Sequence, residues 1–405
     1  MRIAVVGGGA AGLAASYAAA VNGAEVLLFE KNEKLGKKLF ISGKGRCNLT
    51  NDSDLDNHLK NIVRNPRFLY SAFHALSPSD LMALIECAGT PLKTERGGRV
   101  FPISDKSSDV ISAWKKLLNE VGVTVKLNEC VRSVKKTDDG FLIESDGGVF
   151  SFDKVIVATG GITYRATGSD GDGYRFAEKL GHTLTPLVPA LVGIKANLPD
   201  GLAGLSLKNV ELTAIRGKET LFRDFGEMLF THTGISGPIV LTASSRINRL
   251  DLKEILLSVD LKPALDDETL DARLVREFGA QPNKAIRNVM PALLPKSLID
   301  LVLERAEIKP HLPCNAITRE ERKRLVSVLK GLTVQPTAFE DFNGAIVTSG
   351  GVDVTEINAK DMQSKLLKGL YFAGEILDVD ALTGGYNLQI AFSTGYLAGS
   401  AAANA

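Results

Sequence analysis

The first 30 residues contain the feature that most constrains the fold. An apolar run leads into three glycines spaced as Gly-x-Gly-x-x-Gly and then into an alanine-rich stretch, which is the order of a dinucleotide-binding β-α-β unit. Gly7 is expected in the tight turn, Gly9 where a pyrophosphate approaches the backbone, and Gly12 where helix and strand pack closely. Glu30 ends the next apolar run, where a carboxylate can accept both hydroxyls of a ribose. The sequence therefore predicts a dinucleotide site rather than a glycine-rich turn without a ligand.

Composition and charge predict a soluble enzyme. The 405 residues are 44% hydrophobic and 23% charged, with a formal net charge of +1, so neither nucleic acid nor an anionic membrane is expected as a partner. The four cysteines have no spacing typical of zinc ligands or of a disulfide framework. No segment reads as a signal peptide or as a membrane span. We therefore expect a cytoplasmic protein with reduced thiols and no metal site, whose oligomeric state the sequence leaves open.

The strand and helix patterns predict a discontinuous α/β domain. Strands and helices alternate in residues 1–189, which predicts a Rossmann-like fold, and the same domain is expected to resume at 332–405. Residues 190–263 contain short β-like runs without helices between them, which favours an inserted β-barrel-like subdomain. Residues 264–331 read as a small helical subdomain, in which Thr318 and Glu321 have the spacing of a capping box.

The returning segment indicates which dinucleotide binds. Gly374 and Glu375 end an apolar run in the same way as the first glycine turn, so they are expected at the same edge of the sheet. Gly384 and Gly385 precede an apolar helical stretch, whose free N–H groups could face an electron-rich ring oxygen. A flavin needs such a donor when it accepts a hydride, whereas a nicotinamide domain does not need this segment. The predicted cofactor is therefore FAD.

Seven motifs give the chain a family resemblance. They are GGGAAG at 7–12, GKKLFISGKGRCNLTN at 36–51, GGRVFP at 97–102, ATGG at 158–161, TGSDGDGY at 167–174, FTHTGISGP at 230–238 and YFAGEILDVDALTGGYNLQIAFSTG at 371–395. In this order they resemble the bacterial flavoproteins grouped with aminoacetone oxidase and the BaiN-like reductases, which are two-dinucleotide-binding-type FAD oxidoreductases. The resemblance implies an FAD domain interrupted by a β-barrel subdomain and a helical subdomain.

The resemblance also implies which residues bind FAD. Residues of the first loop, and residues that flank the adenine or cover the AMP side, would bind the AMP half: Gly7, Gly9, Ala10, Ala11, Gly12, Glu30, Lys31, Val131, Thr159 and Gly160. Among them, Val131 lies at the end of a strand-like run. The loop along the diphosphate, ribityl chain and flavin would use Lys38, Ser42, Gly43, Arg46, Cys47, Asn48 and Thr50. The returning segment would complete the flavin end with Gly374, Glu375, Gly385, Tyr386, Asn387, Leu388 and Gln389.

For each candidate catalytic residue, the sequence allows a catalytic role and a structural role. Tyr164 could donate a proton to an enolate, or it could form a wall of the pocket. His232, in a glycine-rich segment, could exchange protons near neutral pH or only hold its loop. Cys47 could be redox-active, but it has no resolving partner at Cys-x-x-Cys spacing. Arg46 and Arg99 suit the anchoring of a phosphate or a carboxylate.

The expected activity is FAD-dependent hydride transfer to or from a small or medium organic substrate. No second strand–Gly-x-Gly-x-x-Gly–helix unit is present, so NAD(P)H would be a transient donor rather than a resident ligand. One hypothesis is NAD(P)H-dependent reduction of a C=C bond conjugated to a carbonyl. The alternatives are oxygen-dependent oxidation of an amine of the aminoacetone type and, from another class, a flavin-binding redox sensor or assembly factor.

Overall fold

The computed structural model describes residues 1–404, which divide into two compact units. Unit 1 combines Met1–Ala190 with the described residues from Ala345 onward, and unit 2 is Leu191–Gly344. Unit 1 is thus discontinuous in sequence, whereas unit 2 is one continuous segment.

Unit 1 contains the N-terminal and C-terminal elements of the chain. Its first part comprises β1 (Arg2–Val6), α1 (Ala10–Val21), β2 (Glu25–Phe29), α2 (Lys37–Ile41), β3 (Thr50–Asn51), α3 (Leu55–Asn61), α4 (Tyr70–Ala75), α5 (Pro78–Cys87), β4 (Leu92–Glu95), β5 (Arg99–Pro102), α6 (Ser107–Glu120), β6 (Thr124–Lys126), β7 (Val131–Lys136), β8 (Phe141–Ser145), β9 (Gly148–Phe152), β10 (Lys154–Val157), α7 (Asp172–Lys179) and β11 (Val188–Ala190).

Unit 2 supplies the next elements, after which the chain returns to unit 1. Unit 2 comprises β12 (Ile194–Ala196), β13 (Ser206–Arg216), β14 (Glu219–Phe230), β15 (Gly234–Ser236), α8 (Pro238–Ile247), β16 (Ile255–Asp260), α9 (Asp267–Ala280), α10 (Ile286–Val289), α11 (Lys296–Arg305), α12 (Arg319–Lys330), β17 (Leu332–Val334) and β18 (Pro336–Phe339). The returning part comprises β19 (Val347–Ser349), β20 (Leu370–Phe372) and α13 (Tyr386–Asn404).

A five-stranded parallel sheet forms the centre of unit 1, in the order β20-β10-β1-β2-β6. All four residues of β10 are buried, as expected of a strand whose sheet is covered on both faces. Because the strands are parallel, the carboxyl ends of β1, β10 and β20 meet at one edge. The predicted return of the chain to the first sheet is therefore confirmed, and this is a Rossmann-like α/β fold.

The first and last helices of unit 1 are in close contact because the last helix carries two glycines. A Cβ at Gly395 would clash with the carbonyl oxygen of Ala11, and a Cβ at Gly399 would clash with that of Ala15. Backbone therefore packs directly on backbone between α1 and α13. This contact fixes the N-terminal end of α13 relative to the helix that follows the first glycine turn.

Smaller antiparallel sheets complete unit 1. They have the orders β3-β5-β4, β7-β8-β9 and β11-β19. Val131 is the first residue of β7, and β6 already ends at Lys126, so the prediction that Val131 ends a strand is wrong. Residues 127–130 do not continue the pairing of β6 with β2, and Asn128 among them has a positive φ of 54°.

Unit 2 contains an antiparallel sheet of order β17-β16-β13-β14-β15-β12-β18. Its two edge strands are separated in the chain by Gln335 alone, so the edges must lie close together and the sheet curls in a barrel-like way. The sequence predicts that the FAD domain resumes at residue 332, yet β17 pairs with β16 and β18 pairs with β12. The return to unit 1 therefore comes at Ala345.

The helices of unit 2 share one buried core with its sheet. Leu270, Leu298 and Leu325 on the helices belong to the same hydrophobic cluster as Leu212 and Leu257 on the strands. The capping box at Thr318 and Glu321 is present. The helix α8 was not predicted, because its start, Pro238-Ile239-Val240-Leu241, is rich in β-branched and apolar residues that sequence reasoning assigns to strands. Within residues 1–404, no helix combines the length and apolar character needed to cross a bilayer.

Candidate functional site

The first glycine turn lies between the ends of β1 and β10. Gly7 has a φ of +105°, and a Cβ there would lie 2.6 Å from the carbonyl oxygen of Ala158. A Cβ at Gly12 would clash with the carbonyl oxygen of Gly7. Gly7 is therefore required by the backbone that follows β10, and Gly12 by the backbone of the turn itself.

Gly9 differs, because its surroundings are open. Apart from its chain neighbours, no heavy atom lies within 4 Å of the position that a Cβ would take there. Gly9 caps α1 without a side-chain hydrogen bond, and the first helical bond joins Leu13 N to Gly9 O at 2.9 Å. The N–H groups of Ala10, Ala11 and Gly12 precede that bond and have no helical acceptor. The space and the donors together fit a phosphate group at this helix terminus.

Glu30 closes the turn and is 8% exposed. Its Oε2 accepts a hydrogen bond from Gly8 N at 2.8 Å, and its Oε1 accepts from Asn32 N at 2.8 Å and from Asn32 Nδ2 at 2.6 Å. A carboxylate offers about four lone-pair sites, so Oε2 retains one for a ribose hydroxyl. Lys31 is held by Asp170 at 2.8 Å and by Asp172 at 2.6 Å.

Thr159 and Gly160 follow β10 at the same edge. Thr159 Oγ1 is buried and has no hydrogen-bond partner among the described residues, which is unusual for a buried hydroxyl. Gly160 has a φ of +75°. A hydroxyl without a partner beside the glycine turn fits a site that is completed by a ligand. The predicted adenine contact, Val131, is buried at the start of β7.

Three separate segments meet at Lys38. Its Nζ donates to Thr163 Oγ1 at 2.8 Å and to Glu375 Oε2 at 2.6 Å. Glu375 Oε1 accepts from Thr348 N at 2.9 Å. The Nζ also lies 5.9 Å from the centre of the Tyr164 ring. The fold thus brings together residues that are up to 337 positions apart in sequence.

The loop 42–50 contacts the start of α13. The Asn48 amide, with its oxygen towards Gly385, accepts from Gly385 N at 3.0 Å. Thr50 Oγ1 donates to Gln389 Oε1 at 2.5 Å, and a Cβ at Gly385 would clash with the backbone of Thr50. Gly43 has a φ of +57°, and a Cβ there would lie 2.8 Å from the backbone nitrogen of Asn48. Segments from both ends of the chain therefore meet at the predicted flavin end.

The remaining residues at the start of α13 are held by unit 1 itself. Asn387 accepts from Ala381 N at 2.9 Å and donates to Ala381 O at 2.7 Å. Tyr386 OH accepts from Asn57 Nδ2 at 3.0 Å, and Leu388 is half-buried. Gly374 N donates to Thr394 Oγ1 at 2.9 Å. These bonds fix the backbone whose N–H groups were predicted to face a flavin.

Three loop residues are engaged locally. Ser42 Oγ donates to Leu39 O at 2.7 Å. Arg46 is paired with Glu95 at 2.8 Å and with Asp105 at 3.2 Å. Cys47 is fully buried, and burial raises the pKa of its thiol to about 12. The thiol therefore stays protonated at neutral pH, which argues against the redox interpretation of Cys47.

The two candidate catalytic residues lie in different units. Tyr164 is 38% exposed, with a φ of +54°. Positive φ is uncommon for a bulky residue and occurs often at functional sites. His232 is exposed in the loop between β14 and β15 of unit 2.

Sequence reasoning missed three residues of this site. Thr163 and Thr348 bond to the Lys38–Glu375 pair, and Asn51 Nδ2 donates to Gly384 O at 3.0 Å. Thr348 lies in a short apolar run that ends in two glycines, a signal like that of the first turn. Within residues 1–404, no group of three or more histidine, cysteine or acidic side chains is placed to hold a metal ion.

Comparison with known proteins agrees with this geometry. Residues 1–401 match the family described as HI0933-like protein Rossmann domain. A 3-dehydro-bile acid delta(4,6)-reductase from Clostridium scindens is 34% identical, with 99% of each chain covered. A ribosomal RNA dihydrouridine synthase from Escherichia coli is 32% identical, with 97% of this chain and 95% of the relative covered. A solved 3-ketosteroid delta1-dehydrogenase from Sterolibacterium denitrificans has a TM-score of 0.52 at 13% identity, with 99% of each chain covered, and shares the fold.

The fold and the site define an FAD-dependent oxidoreductase with a discontinuous Rossmann-like domain. The open helix terminus at Gly9, the Glu30 carboxylate and the Thr159 hydroxyl without a partner fit the cofactor. The chain belongs to the HI0933-like Rossmann family.

Proposed function

We propose that this protein reduces a ring C=C bond conjugated to a carbonyl group, with NAD(P)H as the electron donor. The names of two kinds of relatives, a 3-dehydro-bile acid delta(4,6)-reductase and a dihydrouridine synthase, both describe such a reduction. Each relative covers nearly the whole chain. The shared element is the reaction rather than the size of the substrate.

FAD, when bound, supplies the chemistry of accepting a hydride and passing it on. Different residues of this chain would bind different portions of the cofactor. The N-terminus of α1 and Glu30 would bind the AMP half, and the N-terminus of α13 would lie at the flavin end. The Lys38–Glu375 pair would hold the two ends of the chain together around the cofactor.

Saturating the double bond also needs a proton, which Tyr164 would supply. The hydride adds to the carbon β to the carbonyl, and a proton must reach the α carbon. The Tyr164 ring is exposed beside the Lys38 ammonium, so solvent can reprotonate the phenol after each turnover. The position of Tyr164 beside Lys38, whose Nζ bonds to Glu375 of the returning segment, is the observation that carries the proposal.

Anaerobic spectroscopy tests the direction of the reaction. FAD-loaded protein is mixed with NADH, NADPH or aminoacetone, and loss of the visible flavin absorbance is followed. We expect a nicotinamide to bleach the flavin and a 4-en-3-one steroid, added without oxygen, to restore the colour. Bleaching by aminoacetone alone would favour the amine oxidase. Absence of turnover with every donor and acceptor would favour the redox sensor.

Replacing Tyr164 with phenylalanine tests the proton donor. Bleaching by the nicotinamide should be unchanged, whereas recovery with the enone should slow by about 100-fold, the usual contribution of a positioned acid. Tyr70→Phe is the matched control, because Tyr70 is also exposed but packs on His74. Equal effects in both variants would remove Tyr164 from the mechanism.

A uracil base in RNA is a second candidate substrate. It is favoured by the dihydrouridine synthases of Escherichia coli and Haemophilus influenzae, at 32% and 30% identity. The net charge of +1 opposes it, since RNA binding needs many phosphate contacts. Incubation with ribosomal RNA transcripts and NADPH, followed by mass spectrometry, would show uridine gaining two hydrogens if this candidate is correct.

A further inference from the structure

A cluster of cations lies on the hairpin formed by β4 and β5 and on the neighbouring loop. We define this hairpin face by its five basic residues: Lys44, Arg46, Lys93, Arg96 and Arg99. Two carboxylates link three of them. Glu95 pairs with Arg46 at 2.8 Å and with Arg99 at 3.6 Å, and Asp105 pairs with Arg46 at 3.2 Å and with Lys93 at 2.6 Å.

Positive charge remains after these pairs are formed. Within residues 1–404, the side chains of Lys44 and Arg96 have no hydrogen-bond or ion-pair partner, and both are exposed. Two further carboxylates bond to β4, because Asp52 accepts from Thr94 Oγ1 at 3.0 Å and Glu86 accepts from Leu92 N at 3.3 Å. Lys106, which follows Asp105 in sequence, adds one positive charge. Six cations therefore face four carboxylates, an excess of two positive charges that favours anions.

The arginines of the hairpin face are held in place before any ligand arrives. The guanidinium of Arg46 lies 4.0 Å from the centre of the Phe101 ring, and that of Arg99 lies 5.9 Å from it. Arg99 Nε also donates to Arg96 O at 3.1 Å, which braces the turn. A planar guanidinium with a fixed orientation loses less entropy when it binds an oxyanion.

A single side chain, that of Asn51, connects the hairpin face to the predicted flavin end. Asn51 Nδ2 donates both to Gly97 O in the hairpin turn, at 2.9 Å, and to Gly384 O before α13, at 3.0 Å. A Cβ at Gly43 would lie 3.3 Å from the Phe101 ring. An anion on the hairpin face would thus lie next to the loop 42–50 and the start of α13.

We infer that the hairpin face binds the phosphate groups of the nicotinamide dinucleotide that donates the hydride. This inference rests on the proposed function. The sequence has one Gly-x-Gly-x-x-Gly unit, predicted to hold FAD, so a donor needs another source of phosphate contacts. A dinucleotide brings two or three phosphate groups, which matches this small excess of charge. An RNA chain would need a larger basic surface than the net charge of +1 provides.

Calorimetric titration of FAD-loaded protein with NADP⁺ measures this site directly. We expect Arg96→Gln to weaken binding about tenfold, the effect of losing one hydrogen bond to a charged group, and Arg96→Glu to weaken it further. Arg132→Gln is the matched control, because Arg132 is an exposed arginine ion-paired with Asp146 on another sheet. Wild-type affinity should fall as salt is added.

Bleaching kinetics separate this inference from the proposed function. In the Arg96 variants, reduction by NADPH should need higher donor concentrations, while reduction by N-benzyl-1,4-dihydronicotinamide, which lacks phosphate, should be unchanged. NADP⁺ binding that depends on Arg96 without any bleaching would uphold the site and contradict the proposed donor. Bleaching by NADPH with unchanged NADP⁺ affinity in Arg96→Glu would overturn the site. Loss of affinity for single-stranded RNA alone would instead assign the face to RNA.

Discussion

At the scale of single residues, the glycines of the first turn divide into two kinds. Gly7 and Gly12 are required because a Cβ would meet backbone, at Ala158 in the first case and at Gly7 in the second, whereas Gly9 faces open space. The Gly-x-Gly-x-x-Gly pattern treats all three as one signature, although Gly7 and Gly12 affect the free energy of folding and Gly9 affects the free energy of cofactor binding. Two of them stabilise the fold, and the third leaves room for a ligand.

Alanine substitutions should separate these roles. Gly12→Ala is expected to destabilise unit 1 by about 1–3 kcal/mol or more, the cost of overpacking. Gly9→Ala should leave the melting temperature of the FAD-free protein unchanged and weaken FAD binding, because its Cβ would enter the open space. Thermal unfolding of FAD-free protein and titration with FAD measure the two effects. Equal destabilisation of the FAD-free protein by both variants would contradict the distinction.

His58 is a buried titratable residue that packs against Tyr386 at the start of α13. Its Nε2 lies 2.9 Å from Asn51 O, its ring packs against Phe73 and Tyr386, and its Nδ1 has no partner within residues 1–404. Burial lowers the pKa of His58 below its ordinary 6.5. The unfolded state therefore binds a proton more readily than the folded state does.

The sign of the pH dependence follows from this linkage. Above the unfolded-state pKa, near 6.5, both states are neutral at His58 and no stability is lost. As pH falls below that value, the unfolded state gains protons first and stability decreases. We expect His58→Gln to flatten the decline in unfolding free energy between about pH 6.5 and 5. Urea unfolding across this range measures it, with His74→Gln, at an exposed position, as the control. An unchanged slope in His58→Gln would show that His58 does not carry this loss.

At the scale of elements, the contact between α1 and α13 joins the two ends of the chain. Gly395 and Gly399 allow backbone contact with Ala11 and Ala15, and the Thr50–Gln389 bond adds a buried polar contact. The same helix therefore contributes to the core of unit 1 and presents its N-terminus at the predicted flavin end. A change in the packing of α1 on α13 should therefore alter the affinity for the cofactor.

Two glycine-to-alanine variants test this contact. Gly399→Ala should destabilise the protein by about 1–3 kcal/mol through overpacking. Gly279→Ala, on the exposed side of α9 where nothing lies within 4 Å, should be neutral or stabilising by up to about 1 kcal/mol. Chemical denaturation of both variants provides the comparison. Tolerance of Gly399→Ala would mean that the helices separate more easily than the contact implies.

At the scale of the whole molecule, the chain consists of a discontinuous unit and a continuous one. Unit 2 has its own hydrophobic cluster, shared by its sheet and its helices. Unit 1 contains all the predicted FAD-binding residues, from Gly7 to Gln389. Cofactor binding and the inserted unit are therefore expected to be separable.

The isolated segment 191–344 should fold on its own. We expect a cooperative thermal transition by circular dichroism, no bound FAD after reconstitution, and no shift of that transition when FAD is added. In the full chain, added FAD should raise the transition that belongs to unit 1. An unfolded segment 191–344 would show that unit 2 needs unit 1 for its stability.

The sequence by itself determined the local features, because they depend on a few neighbouring residues. The turn at Gly7 to Gly12, the capping box at Thr318 and the return of an apolar strand before Gly374 were predicted from spacing alone. Only the tertiary structure decided that β17 and β18 pair with the sheet of unit 2, that Arg46 lies between Glu95 and Asp105, and that Lys38 meets Thr163 and Glu375. These contacts join residues far apart in the chain, and no local pattern specifies which distant partner a strand or a charge will find.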